Sequence, residues 1–272
     1  MSSSIREWLN LGLRWFHVFA GIMWVGQTYY FTWLDGQFGK LEKKAAESGA
    51  ASKVWMVHSG GFYTVEKQKS LGVTAEQVRW FRWEALMTWV AGMLLLILVY
   101  YVGAGLIDPD VADISKPAGI AIGLGALAAG WVIYDLAVRS PLGKSQGAFA
   151  VFGLVMTAVS AWGLSHVFSG RAAYIHVGAI YGTIMTLNVW MRILPAQRKM
   201  ISAAAAGESF DASLGAQAKL RSKHNTFMAV PVVFLMLSSH YPVATYGNRY
   251  GWEILLALVV VGWAAAKLIR EH

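Results

Sequence analysis

Residues 11–34 read LGLRWFHVFAGIMWVGQTYYFTWL. The run is longer than the roughly 20 mainly apolar residues that a helix needs to cross a hydrocarbon core. It nevertheless carries His17, with Arg14 one turn before it and Gly21 one turn after it. An ionisable residue inside a spanning helix is costly, so it faces protein or a bound group rather than lipid.

Working outward, six more runs of spanning length follow at about 81–103, 117–138, 147–167, 172–194, 226–242 and 251–269, the run 226–242 interrupted by Pro231. Proline is tolerated in membrane helices. The expectation is one all-α domain over residues 1–272, a polytopic bundle of seven transmembrane helices. The composition agrees: 56% of residues are hydrophobic and 14% charged, where soluble domains carry about a quarter charged. Thirteen Trp and eleven Tyr suit a chain with two membrane–water interfaces.

Alternate connecting segments sort the basic residues. The segments 35–79, 139–146, 195–223 and 267–272 hold sixteen Lys and Arg, and the opposite set holds four. Basic loops stay in the cytoplasm, so the N-terminus is expected outside and the C-terminus inside. The net charge of +8 is thus explained by topology, and a nucleic-acid partner is excluded. The chain has no cysteine, which excludes disulfides, thiolate metal sites and covalently attached c-type haem. MSSSIREWLN lacks a signal-peptide pattern, so the first helix is expected to remain in the mature protein. Two connectors are long. LDGQFGKLEKKAAESG is read as a short surface helix, and VWMVHSGGFYTVEKQ as an apolar run dipping back toward the bundle. ISAAAAGESFDASLGAQ is read as a flexible or weakly helical connector.

In this topology His17, His166, His176 and His240 share the outer leaflet on four different helices. Four imidazoles at one depth suit one or two non-covalent haems, or a copper or zinc ion. Glycines along these helices and Arg14, Arg171 and Arg249 near the outer surface favour haem, since guanidinium groups pair with propionates. Hydrogen bonding to a neighbouring helix, to water or to lipid headgroups is the structural alternative. The inner layer holds His58 and His224–Asn225, with Glu66, Lys67, Glu84, Asp135 and Asn188 near the same end. Glu84 and Asp135 need partners inside helices, and Arg82 and Arg139 are the nearest cations in sequence.

Three blocks, RWFHVFAGIMWVGQTYYF, VHSGGFYTVEKQ and RSKHNTFMAVPVVFLMLSSHYP, resemble the membrane domain of the bacterial membrane-bound urate oxidases. The first block alone also resembles helix 1 of the copper-resistance D and membrane protoporphyrinogen oxidase families. The urate oxidase resemblance runs from about Arg14 to the end of the chain and implies oxidation of urate to 5-hydroxyisourate in the bacterial inner membrane. Electrons would leave through b-type haem to a cytochrome c. Family members carry a further helix and an outer cytochrome domain. This sequence stops after the seventh helix, so a separate cytochrome or another acceptor is expected. His17, His176, His166 and His240 are the expected iron ligands, with Arg14 and Arg171 on the propionates. For the purine anion the candidates are His58, Lys67, His224 and Asn225. A membrane cytochrome relaying electrons from quinol and a purine or metal transporter are the rival expectations.

Overall fold

The computed structural model describes residues 2–48, 53–68, 75–209 and 211–271. Seven long helices and one hairpin make up the fold: α1 (Ser3–Ser48), β1 (Lys53–His58), β2 (Gly61–Glu66), α2 (Trp83–Val102), α3 (Lys116–Arg139), α4 (Gln146–Ser165), α5 (Gly170–Ala205), α6 (Ala212–Leu237) and α7 (Gly251–Glu271). Five of them, α2, α3, α4, α5 and α7, are long and apolar enough to cross a membrane. In α1 the many Trp and Tyr lower the mean hydropathy, and α6 begins with the polar ASLGAQAKLRSKHN.

Helix α5 is the centre. Its most apolar window is 61% buried, against 17–33% for the other four. Its Tyr174 and Val177 are buried with Phe168, Leu235, Leu106 and Val259 in one continuous core. The outward faces are apolar too, with Trp8, Trp15 and Ile22 of α1 among the exposed side chains. Such a surface suits lipid and not water.

Four expectations are corrected. LDGQFGKLEKKAAES is no separate surface helix but the continuation of α1, because Leu34, Phe38 and Leu41 extend its apolar stripe onto the hairpin's Val54, Met56 and Val65. VWMVHSGGFYTVE is an antiparallel hairpin closed by Ser59 and Gly60, both at positive φ (49° and 78°), the geometry of a two-residue turn that matches strand twist. It runs back along α1, reaching Tyr30 through Met56, but stays outside the bundle, with Phe62 82% exposed. The connector 195–223 is largely helical: α5 continues to Ala205, and α6 starts at Ala212 under an Asp211 cap whose Oδ1 accepts from the Ser213 amide at 2.8 Å. The sixth helix therefore begins at Ala212, well before 226, and it ends at Leu237 in a 3₁₀ turn, Ser238–His240. Residues 49–52, 69–74, Phe210 and His272 lie outside the described residues.

Three local devices position the side chains discussed below. The last turn of α2, Ile97–Val102, and the stretch Asn188–Ile193 of α5 are π-helical, a distortion that turns extra side chains inward. The second lies just before Pro195, which has no amide hydrogen to close a regular turn. Pro231 of α6 lies against Gly262 of α7, where a Cβ would come within 2.9 Å of the proline ring. The end of the bundle that holds the hairpin and most Lys and Arg is termed the basic end.

Candidate functional site

At the basic end, Asp135 of α3 is the anchor. Its carboxylate accepts from Arg192 Nε at 2.8 Å and from Arg221 Nη2 at 2.6 Å, with a further close contact to Arg192 Nη2. Arg139, the expected partner, is a lesser neighbour at 3.7 Å. Arg82, the other expected cation, instead lies over the Trp80 and Trp83 rings, and Glu84 Oε2 is buried without a partner among the described residues.

A chain of hydrogen bonds leads inward from this carboxylate. Arg221 Nη1 donates to Asn188 Oδ1 (3.2 Å). Asn188 Nδ2 donates to Tyr134 Oη and to Asn225 Oδ1, both at 2.9 Å. Asn225 Nδ2 donates to the Met185 carbonyl (3.0 Å). Tyr134 Oη meets His224 Nδ1 at 2.9 Å, and the His224 ring stacks on Phe149 at 4.7 Å and 9°. Asn188, Arg221 and Asn225 are buried. The sequence reading named Asn188 and Asn225 but missed Arg192, Arg221 and Tyr134. The available signal was spacing: Asn188 and Arg192 are four apart, as are Arg221 and Asn225, and such pairs share one helix face.

His224 borders a half-open cavity of about 840 Å³ lined by residues of α3–α7. Its walls are mostly apolar, among them Phe152, Ile180, Ile184 and Val260. Lys223, Lys267 and Arg270 lie at its margin. His58 and Lys67 are not part of it. His58 is exposed at the hairpin turn, and Lys67 pairs with Glu42 at 2.9 Å on the surface.

The opposite end holds the other histidines. His17 Nδ1 lies 2.8 Å from the Thr88 carbonyl, and its ring fills the space left by Gly92, where a Cβ would come within 2.9 Å. His176 is fully buried, with Nδ1 2.7 Å from the Ala172 carbonyl and Nε2 3.1 Å from Tyr101 Oη. His166 is exposed, its Nδ1 2.7 Å from the Trp162 carbonyl. His240 is exposed beyond the end of α6. Arg14 and Arg171 both act electrostatically on the Tyr100 hydroxyl, so they converge on one region, and Arg171 Nε is buried without an acceptor among the described residues.

The fit of these residues to a haem is partial. A backbone carbonyl only accepts, so Nδ1 of His17 carries the proton and Nε2 keeps the lone pair that iron needs. The unmatched Arg171 Nε suits an anionic substituent. His176 does not fit: its Nε2 is occupied by Tyr101, and Phe168, Tyr100 and Tyr101 close around the ring. His17 meets α2 at Thr88–Gly92 and His176 meets it at Tyr101, nine residues apart in sequence. That separates them by roughly 13 Å along the helix, so they do not face each other across one ring.

The family model described as urate oxidase N-terminal matches residues 3–271. The chain belongs to the urate oxidase N-terminal family. No curated protein and no solved structure matches it. Family membership extends over every element just described, so the basic-end cavity and the opposite-end histidines are both parts of the urate oxidase N-terminal unit. It is a membrane protein by its apolar helices.

Proposed function

We propose that this chain is the membrane-embedded part of a bacterial urate-oxidising system, crossing the inner membrane seven times with its N-terminus outside and its C-terminus in the cytoplasm. The reaction converts urate and water to 5-hydroxyisourate, releasing two electrons and two protons to an acceptor other than oxygen. The observation that carries this reading is the family match along the whole chain, residues 3–271. When bound, b-type haem supplies one-electron carriage toward a cytochrome c. His17, with its free Nε2, and the Arg14–Arg171 region are this chain's contribution to holding it; His166 also keeps an Nε2 lone pair, at the surface. The protein's own part in the reaction is to bind the purine anion, and the basic-end cavity offers what that requires: cations at the margin, a hydrogen-bonding imidazole and walls that exclude water.

The size of the cavity favours a second reading. A purine of 12 heavy atoms, even at the ~30 Å³ of a water for each, fills less than half of the 840 Å³. A membrane cytochrome taking electrons from a quinol would use the remaining apolar volume. Metal transport has less support, since no group of three or more His, Asp or Glu that could hold an ion occurs among the described residues.

The test is the dithionite-reduced minus oxidised absorption spectrum of the full chain in mild detergent, repeated anaerobically with urate as the only reductant. Sharp b-type bands that urate also raises are expected. Bands that respond to quinol but not to urate would favour the relay, and a flat spectrum from haem-replete cells would overturn both readings.

A further inference from the structure

The hydrogen bonds at the basic end have only one consistent direction. Arg221 has donors and no acceptor, so its contact with Asn188 assigns that amide oxygen to Arg221. The amide nitrogen of Asn188 must then face Tyr134 and Asn225, and it donates to both. Tyr134 Oη is therefore an acceptor toward Asn188. Its own hydrogen needs an acceptor, and among the described residues the one within reach is His224 Nδ1. An imidazole that accepts at Nδ1 carries its proton on Nε2 when neutral. No described residue takes up that Nε2.

We propose that Arg221, Asn188 and Tyr134 act as a one-way donor relay that fixes His224 with its proton on Nε2, so that the cavity recognises an anionic, carbonyl-bearing ring by donating to a ring oxygen. Two things follow from the geometry. His224 is excluded as a metal ligand in this arrangement, because ligation needs the Nε2 lone pair. Arg221 and Asn188 are positioning residues, since they do not line the cavity and act on His224 through Tyr134, which lines the cavity beside His224. The choice of partner follows from the donor: an N–H in a cavity also lined by Lys223, Arg270 and the Lys267–Glu271 pair rewards an oxygen bearing negative charge and leaves a protonated or carbonyl-free ring without a partner. In naming that ring as urate the inference rests on the proposed function; the position of the proton does not.

The relay is tested in the full chain, labelled with ¹⁵N-histidine and held in detergent micelles, with the His224 signals assigned by their loss in His224→Gln. A bare Nδ1 and a protonated Nε2 are expected. In Tyr134→Phe the His224 signals should shift toward a mixture of tautomers while those of the other histidines stay in place. A wild-type His224 protonated on Nδ1 would overturn the relay. Recognition is tested by equilibrium dialysis with urate. His224→Ala should weaken binding by about tenfold or more, as expected for a hydrogen bond to a charged ligand. His224→Gln, which carries an amide N–H in place of the ring N–H, should stay within about threefold of wild type. Equal losses in the two variants would overturn the donor role. A wild-type chain that binds no urate would overturn the substrate reading, with the ¹⁵N signals still deciding the relay.

Discussion

The histidines at the two ends of this bundle hold their protons on opposite nitrogens. At the opposite end His17, His166 and His176 each place Nδ1 against a backbone carbonyl, so all three turn a lone pair outward on Nε2. At the basic end His224 receives its Nδ1 hydrogen bond from a phenol and turns out a proton. Backbone carbonyls are supplied by any helix, and an imidazole one turn along meets one without further machinery, as in His176 to Ala172. Reversing the tautomer takes a side chain that donates, and that side chain must itself be held by donors. This is why a long polar network is built at the end with the cavity and not at the other. In the first set His17 and His166 keep a lone pair suited to iron, while that of His176 is taken up by Tyr101; His224 is suited to an oxygen of a ligand.

The comparison is broken most severely at Asp135. Asp135→Ala leaves Arg192 and Arg221 facing each other, Arg221 almost wholly buried. Removing one partner of a buried ion pair costs about 3–5 kcal/mol, and the relay loses its source. Denaturant unfolding in micelles should show that loss. A change below about 1 kcal/mol would mean that water reaches the cluster and that the network does not organise this end.

The second prediction separates the ends by their cofactor. His17→Ala should remove most of the reduced-minus-oxidised b-type signal, whereas His224→Ala should leave it in place, because the first residue offers a lone pair and the second a proton. The reverse result would exchange the roles of the two ends. His176→Ala sharpens the point: with Nε2 occupied by Tyr101 and no space beside the ring, its main effect should be on stability. Retention of the haem bands in that variant would separate it from His17.

A smaller effect is expected where glycine lets each histidine sit against a neighbouring helix. Gly123→Ala would place a Cβ 2.7 Å from Tyr101 Oη and 2.9 Å from His176 Nε2. Overpacking of this kind costs about 1–3 kcal/mol, read as a lowered unfolding midpoint. Gly92→Ala presses on His17 in the same way, but should also shift the haem bands. Equal spectral changes in both variants would argue that His176 ligates after all.

The architecture was legible in the sequence because a spanning helix announces itself by length and apolarity, and all seven runs lie on helices. What the sequence hid was continuity. Leu34, Phe38 and Leu41 give no sign that α1 runs on to Ser48, since their partner is a hairpin from the next segment. The site was half legible. Intramembrane polar residues pointed to Asp135, Asn188, His224 and Asn225, but Asp135 was matched with the cation nearest in sequence. Its main partners come from α5 and α6, 57 and 86 residues away, a pairing that periodicity on one helix cannot show. Counting from Leu11 puts His17 in the layer of His176, but α1 begins at Ser3, and the two histidines meet α2 at Thr88–Gly92 and at Tyr101, roughly 13 Å apart along its axis.

The smallest effects belong to the hairpin, and they test whether the purine site is confined to the cavity. Lys67 reaches Glu42 at 2.9 Å, with both side chains about half exposed. An ion pair in that setting contributes little, since water solvates either partner alone almost as well. The Glu42 carboxyl is held below its usual range by the Lys67 ammonium, so whatever the pair adds is present above the ordinary glutamate range and fades as Glu42 protonates in acid. His58 lies at the exposed turn, cross-paired only with Gly61. Lys67→Ala and His58→Ala should therefore leave urate affinity, haem bands and the unfolding midpoint within error of wild type. A several-fold loss of urate binding in either variant would place the purine at the hairpin. In that case the His224 cavity would belong to some other ligand, and the proton on its Nε2 would need a different acceptor.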